Sequence, residues 1–111
     1  MARINSPRLN KIDLLCRKIA APIRRQFGEV ERQQVKGAKL DEALDKTLHY
    51  VASVIMEELK DGYPKDSIHI SDMGGHDGAE DGHTWLINLN GGRENFTRGI
   101  DGVYCTFVIL K

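Results

Sequence analysis

The alternation of apolar and polar residues predicts two amphipathic helices followed by three short strands. The first helix begins at Ser6-Pro7, where Ser6 can cap free backbone amides and Pro7 suits the first turn. Pro22 is expected to kink or end this helix near Ala21, and Gly28 is a second stop signal. Its apolar stripe recurs every three or four residues, at Leu9, Ile12, Leu15, Ile19, Ile23 and Phe27.

A second helix is predicted from Leu40 to the capping signal Asp61-Gly62. Between the two helices, residues 30–39 are polar and are interpreted as a connection, with a short strand at 33–36 as an option. The second helix has the clearest period in the chain, with apolar residues at Leu44, Leu48, Val51, Ile55 and Leu59.

Strands are predicted at residues 67–71, 85–89 and 103–110, and a glycine-rich, mobile loop at 72–82. This order indicates an α+β fold: one domain over residues 1–111, with two helices packed on one face of a small, mainly antiparallel sheet. So small a sheet has exposed edges that attract other chains. We therefore expect a protein partner or a homo-oligomer that uses the exposed sheet edge.

The chain has no net charge, but its charged residues are unevenly distributed along the sequence. Basic and acidic residues both number 16, but residues 1–40 carry ten basic and three acidic side chains. The first helix therefore has a possible basic binding face, formed by Arg17, Lys18, Arg24 and Arg25. A solvated helix face is the simpler interpretation; RNA or an acidic protein is the alternative, and no stacking aromatics accompany the cations.

The two cysteines, Cys16 and Cys105, lie in different predicted elements and do not suggest a disulfide framework. A reducing compartment such as the cytoplasm fits them best. No apolar run approaches the length of about 18 residues that a membrane span requires, so no span is expected.

One acidic, histidine-containing segment is a weak candidate for a transition-metal site. Its residues have no tight ligand spacing, and the surrounding glycines leave the geometry open, so a solvated loop is the preferred interpretation. The potential ligands are His69, His76, Asp77, Asp81 and His83.

Several segments, taken in order, resemble the N-terminal part of the inositol monophosphatase family, most closely its bacterial members of the extragenic-suppressor type. The resemblance rests on the Gly-Tyr-Pro-Lys-Asp-Ser-Ile run at 62–68, Trp-Leu-Ile-Asn at 85–88, Asn95-Phe96 and Arg98-Gly99-Ile100. It implies the N-terminal half of that fold, without the family's C-terminal half.

The family's enzymes are magnesium-dependent phosphomonoesterases whose carboxylates hold the metal ions. The resemblance puts Ser71 and the neighbouring Asp72 where the family has Glu-Glu. It puts Asn88 and Gly91 where two ligand aspartates stand, and Arg93, followed by Glu94, where a metal-site threonine stands. These six residues are degenerate metal-site positions.

Replacing three anionic ligands by Ser, Asn and Gly, with an added arginine, disfavours a divalent cation. The resemblance therefore predicts a catalytically inactive protein with no catalytic residues, no metal and no cofactor, acting as a structural or binding subunit. Arg93 and Asn88 are expected to join a hydrogen-bond network there. Two alternatives stay open: a magnesium-dependent phosphomonoesterase with rearranged ligands, and a protein that binds RNA or a transcription complex.

Overall fold

The computed structural model describes residues 6–34, 36–71, 73–89 and 106–111. The predicted strand residues 103–105 and the turn that precedes them lie outside this part of the chain, as do Asp72, Gly91, Arg93 and Glu94. The described elements, in chain order, are α1 (Pro7–Gln33), α2 (Ala38–Gly62), β1 (Ser67–Ile70), β2 (Gly74–His76), β3 (Thr84–Asn88) and β4 (Thr106–Leu110).

Helix α1 begins as predicted but is longer than predicted. The Ser6 hydroxyl accepts a hydrogen bond from the backbone N–H of Leu9, and Pro7 occupies the first turn. The helix then continues through Pro22 and Gly28, so it does not end near Ala21 or at Gly28, the two ends that the sequence suggested. Proline inside a helix costs about 3 kcal/mol. This cost is tolerated because apolar side chains on both sides of Pro22 pack on the same core, among them Leu15, Ile19 and Ile23.

The connection between the helices is much shorter than the polar pattern suggests. Helix α1 ends at Gln34, whose left-handed backbone (φ 52°) lets its N–H bond to the carbonyls of Val30 and Glu31. The described residues of the strand considered at 33–36 are not in a strand: residue 33 ends α1, residue 34 is a turn and residue 36 has no regular structure. Helix α2 starts directly after Gly37, which has φ 64°.

Helix α2 confirms the prediction closely, starting two residues early and ending at Gly62 as expected. Its C-terminus is capped by the backbone N–H of Tyr63, which donates to the carbonyl of Leu59 at 2.8 Å. One side of the helix is buried along its full length, by Leu40, Leu44, Leu48, Val51, Ala52, Ile55 and Leu59.

The sheet has the order β2-β1-β3-β4, one strand more than predicted. Strands β1 and β3 are parallel, whereas the β1–β2 and β3–β4 pairs are antiparallel. Strand β2 was missed because its sequence, Gly-Gly-His, shows no apolar alternation. Gly75 is needed there: a Cβ at this position would lie 2.5 Å from the carbonyl oxygen of Ile68.

Both helices cover one face of the sheet, which confirms the predicted α+β class. Ile68 and Ile70 of β1 and Trp85 and Ile87 of β3 point into the same core as the helix stripes. The residues that alternate with them are exposed on the opposite face, which we call the open face. Its most exposed members are His69, Leu86, Asn88, Thr106, Val108 and Leu110.

Candidate functional site

Two residues that the resemblance assigns to a degenerate metal site meet at the carboxyl ends of the parallel strands. Ser71 directly follows β1 and Asn88 is the last residue of β3. The backbone N–H of Ser71 donates to the carbonyl of Ile87 at 2.9 Å, which ties the two strand ends together. Both side chains line a shallow cleft on the open face, together with His69, His76, Asp77 and Thr106.

This cleft is poor in negative charge. Ser71 and Asn88 are neutral, and Asp77 is the carboxylate that lines it within the described part of the chain. Among the described residues, no three His, Cys, Asp or Glu side chains lie close enough together to hold a metal ion. Because Asp72, Gly91, Arg93 and Glu94 lie outside those residues, the predicted Arg93 network stays a prediction.

The histidines and acids of the weak transition-metal candidate are dispersed. His69 is exposed in β1, and Asp77 and Asp81 are exposed in the loop between β2 and β3. His83 lies before β3, where its Nδ1 is buried without a hydrogen-bond partner. The loop itself is pinned to the start of β1: the Gly78 N–H donates to the Ser67 hydroxyl at 3.0 Å, and the Ala79 N–H to the Lys65 carbonyl at 2.8 Å.

The strongest polar cluster lies at the opposite end of β1, around Asp66. This carboxylate is only 1% exposed. It accepts two hydrogen bonds from Arg8, at 2.8 and 3.0 Å, and one each from the indole N–H of Trp85 (2.8 Å) and the backbone N–H of His83 (3.0 Å). The Arg8 guanidinium also lies over the ring of Tyr63, 4.7 Å from its centre. We call Arg8, Tyr63, Asp66 and Trp85 the Asp66 cluster.

Electrostatics in the Asp66 cluster favour the charged carboxylate. Burial raises the pKa of Asp66, but the hydrogen bonds from Arg8, the backbone of His83 and Trp85 outweigh it and lower the pKa to about 2. The same Asp66 hydrogen bonds raise the pKa of Arg8. The charged carboxylate of Asp66 thus accepts four hydrogen bonds, and the cluster forms a structural joint between α1 and the sheet.

The predicted basic face of α1 divides into two sides. Arg17 and Arg24 are exposed, and Arg17 forms a solvent-exposed ion pair with Asp13 at 3.1 Å. Lys18 instead turns towards α2, where it and Lys11 share the carboxylate of Glu58. Hydrogen bonds from these two lysines lower the pKa of Glu58 to about 2. Arg25 lines the groove between the helices. All four residues are exposed, and their role as one basic binding face stays a prediction.

Sequence reasoning missed the Asp66 cluster because its members are far apart in the chain. Arg8 and Asp66 are 58 residues apart, and neither has a local partner that would mark it. The only available signal is an aspartate between a helix cap and a strand, which is equally common on a surface.

No protein-family model matches the chain, and no curated protein and no solved structure matches it significantly. The resemblance to inositol monophosphatases therefore rests on the sequence motifs at residues 62–68, 85–88, 95–96 and 98–100 alone. Neither α1 nor α2 is both long and apolar enough to cross a bilayer, and no other helix occurs among the described residues.

Proposed function

We propose that this chain is a catalytically inactive relative of the inositol monophosphatase family that serves as a binding or structural subunit. In this proposal the strand framework of the family is retained, its metal chemistry is lost, and the open face of the sheet binds a second copy of the chain. The observation that carries the proposal is the uncharged, partly apolar character of that face along β1, β3 and β4.

The open face has far fewer charged residues than the rest of the protein. Charged residues make up 29% of the chain, yet β1, β3 and β4 contain no Asp, Glu, Lys or Arg. Leu86 and Val108 stand directly opposite each other in the β3–β4 register, and both are exposed. Leu110, one step along the same side of β4, is 49% exposed. Contiguous apolar surface of this kind is typical of an interaction site.

A second copy is the favoured occupant because of this charge pattern. In a two-fold dimer the same patch meets itself, so a patch without charge is self-complementary and buries no unpaired ion. The open face carries no charge on its three main strands, and sheets pack face to face through such alternating side chains. Strand β4, which contributes Val108 and Leu110 to the patch, also lies at one edge of the described sheet.

The strand ends support the loss of catalysis. Metal-dependent phosphate hydrolysis needs anionic oxygen ligands that hold the cations and activate a water molecule. Ser71 and Asn88 occupy the ends of the two parallel strands, and each supplies a neutral oxygen. The exposed Cys16 thiol is free, which is compatible with the reducing intracellular compartment that we propose.

The dimer is tested by measuring the molar mass of the purified chain over a range of concentrations, by light scattering or sedimentation. We expect a concentration-dependent dimer, and we expect Val108→Asp to weaken it by about tenfold or more because the dimer would bury an unpaired carboxylate from each copy. Leu14→Asp is the matched control, since Leu14 is 44% exposed and Val108 43%, but Leu14 lies on α1. A wild-type chain that stays monomeric at high concentration would refute the dimer.

The loss of catalysis has a separate test. Release of phosphate from inositol monophosphate or p-nitrophenyl phosphate in the presence of magnesium should equal that of a protein-free control. Turnover that disappears in Asp72→Asn or Asp77→Asn would instead establish the magnesium-dependent phosphomonoesterase, which would be an enzyme whatever its oligomeric state.

A further inference from the structure

A second surface, independent of the open face, lies in the groove between α1 and α2. The α1 side of the groove is lined by Lys18, Arg25 and Glu29, and the α2 side by Lys46, Thr47 and Tyr50. Tyr50 is 58% exposed, more than any other large hydrophobic residue in the described part of the chain. The groove therefore combines three cations with an accessible aromatic ring.

The positive charge of this groove is largely uncompensated. Arg25 and Lys46 form no ion pair with any carboxylate among the described residues. Lys18 shares a single carboxylate, Glu58, with Lys11, so one positive charge remains in that group. Glu29, the one acidic residue that lines the groove, is bound to Arg32. A net positive groove of this kind attracts an acidic ligand.

The backbone adds a further feature. Pro22 lines the groove and has no N–H, so the carbonyl of Lys18, one turn earlier, has no donor at position 22. The groove features that favour a ligand are its cations and the exposed ring of Tyr50. An extended acidic peptide offers carboxylates, and its apolar side chains can cover the ring of Tyr50.

We propose that the α1–α2 groove is a docking site for an acidic peptide segment of a partner protein. Arg25 and Lys46 hold its carboxylates from opposite walls, and Tyr50 packs against an apolar side chain between them. Single-stranded RNA is less suitable because its binding normally uses several stacking aromatics along a basic track, and Tyr50 is the aromatic residue that lines this groove.

The test uses a fluorescein-labelled peptide of alternating glutamate and phenylalanine, with fluorescence anisotropy as the readout. A matched peptide carries glutamine in place of each glutamate. We expect the acidic peptide to bind the full chain with a salt-sensitive affinity, and the glutamine peptide to bind at least about tenfold more weakly. Equal binding of the two peptides would overturn the proposal.

Charge reversal locates the site. Arg25→Glu combined with Lys46→Glu should weaken binding by about tenfold or more. Arg24→Glu combined with Lys60→Glu is the control: it also reverses one exposed cation on each helix, but neither residue lines the groove. We expect the control to bind nearly as the wild type does. Equal weakening in both variants would mean that overall charge, and not the groove, binds the peptide.

Two further measurements complete the experiment. The neutral variant Arg25→Gln with Lys46→Gln and the variant Tyr50→Ala should each weaken binding while leaving the thermal melting curve unchanged, since all three side chains are exposed. A labelled single-stranded RNA is titrated in parallel. Tighter binding of the RNA than of the acidic peptide, lost in the groove variant, would replace the peptide with a nucleic acid as the ligand and overturn the proposal.

Discussion

The two ends of β1 differ sharply in how they use polar groups. At its start, the buried carboxylate of Asp66 accepts four hydrogen bonds, two of them from Arg8. At its end, Ser71 is exposed, and its backbone N–H makes the contact to β3. The start is a fixed structural joint, whereas the end is an open cleft on the sheet.

This difference indicates where the chain uses negative charge. A carboxylate that accepts hydrogen bonds from several donors can link a helix to a sheet, but it has no remaining capacity to bind a cation. Anionic oxygen at the end of β1, in contrast, would be available to a ligand. Among the described residues, the buried carboxylate lies at the structural end of β1, whereas Ser71 and Asn88 supply neutral oxygens at the accessible end, where Asp77 is the one carboxylate in the cleft.

The largest effect should come from Asp66→Asn. The amide keeps one acceptor but turns its NH2 group towards donors of Arg8 or Trp85, and it leaves the guanidinium without its counter-charge. We expect the free energy of unfolding, measured in urea, to fall by about 3–5 kcal/mol. The exposed Asp77→Asn is the control and should change it by less than about 0.5 kcal/mol. A similarly small change in Asp66→Asn would show that the joint contributes little.

The second-largest effect should come from lowering the pH, which affects the carboxylate at the start of β1. The pKa of Asp66 is about 2 in the folded chain and about 4 when unfolded, so its stabilisation is fully present above pH 4 and is lost as the pH falls towards 2. We expect a loss of about 2 kcal/mol from this group, with Glu58 acting in the same direction because its pKa is also about 2. Urea unfolding between pH 2 and pH 5 measures it; a stability independent of pH in that range would contradict the assignment.

Arg8→Lys should have a smaller effect. Lysine retains the positive charge but cannot make two parallel hydrogen bonds to Asp66 or lie flat over Tyr63. We expect a loss of about 1 kcal/mol in urea unfolding. Arg17→Lys, which alters only the exposed pair with Asp13, should leave the stability nearly unchanged. Equal effects of the two replacements would show that the bidentate geometry is unimportant.

The smallest effect is expected at the open end of β1. Ser71→Asp adds a carboxylate at an exposed position, and the hydrogen bond from the Ser71 backbone to Ile87 does not depend on the side chain. The free energy of unfolding should change by less than about 0.5 kcal/mol. A loss above 1 kcal/mol would mean that this end, too, has a structural role.

Elements with a strong local period could be predicted from the sequence. Helix α2 and strand β3 follow from regularly spaced apolar residues such as Leu44, Leu48, Trp85 and Ile87. Helix α1 was expected to kink or end near Pro22 and to stop by Gly28, because local propensity does not include the packing that carries the helix through these residues. Strand β2 is defined by the pairing of its backbone with β1 around Gly75, and this pairing produces no pattern of apolar side chains in the sequence.

The candidate site was predictable only in part. The sequence located Ser71 and Asn88 through the resemblance, and the parallel pairing of β1 with β3 brings the two strand ends together. The Asp66 cluster could not be predicted, because the pairing of Arg8 with Asp66 depends on how the first helix lies on the sheet. The groove around Tyr50 was missed for the same reason, since the stripe of α2 identifies its buried side and not its neighbours on α1.

The bond from Trp85 to Asp66 also makes the chain its own spectroscopic probe. Trp85 is the single tryptophan, and its indole N–H is buried against the carboxylate. Its fluorescence and its indole proton resonance therefore report on one identified contact without any added label. A ligand bound at the helix groove or the open face that loosened α1 from the sheet would be visible in that one signal, long before the chain unfolded.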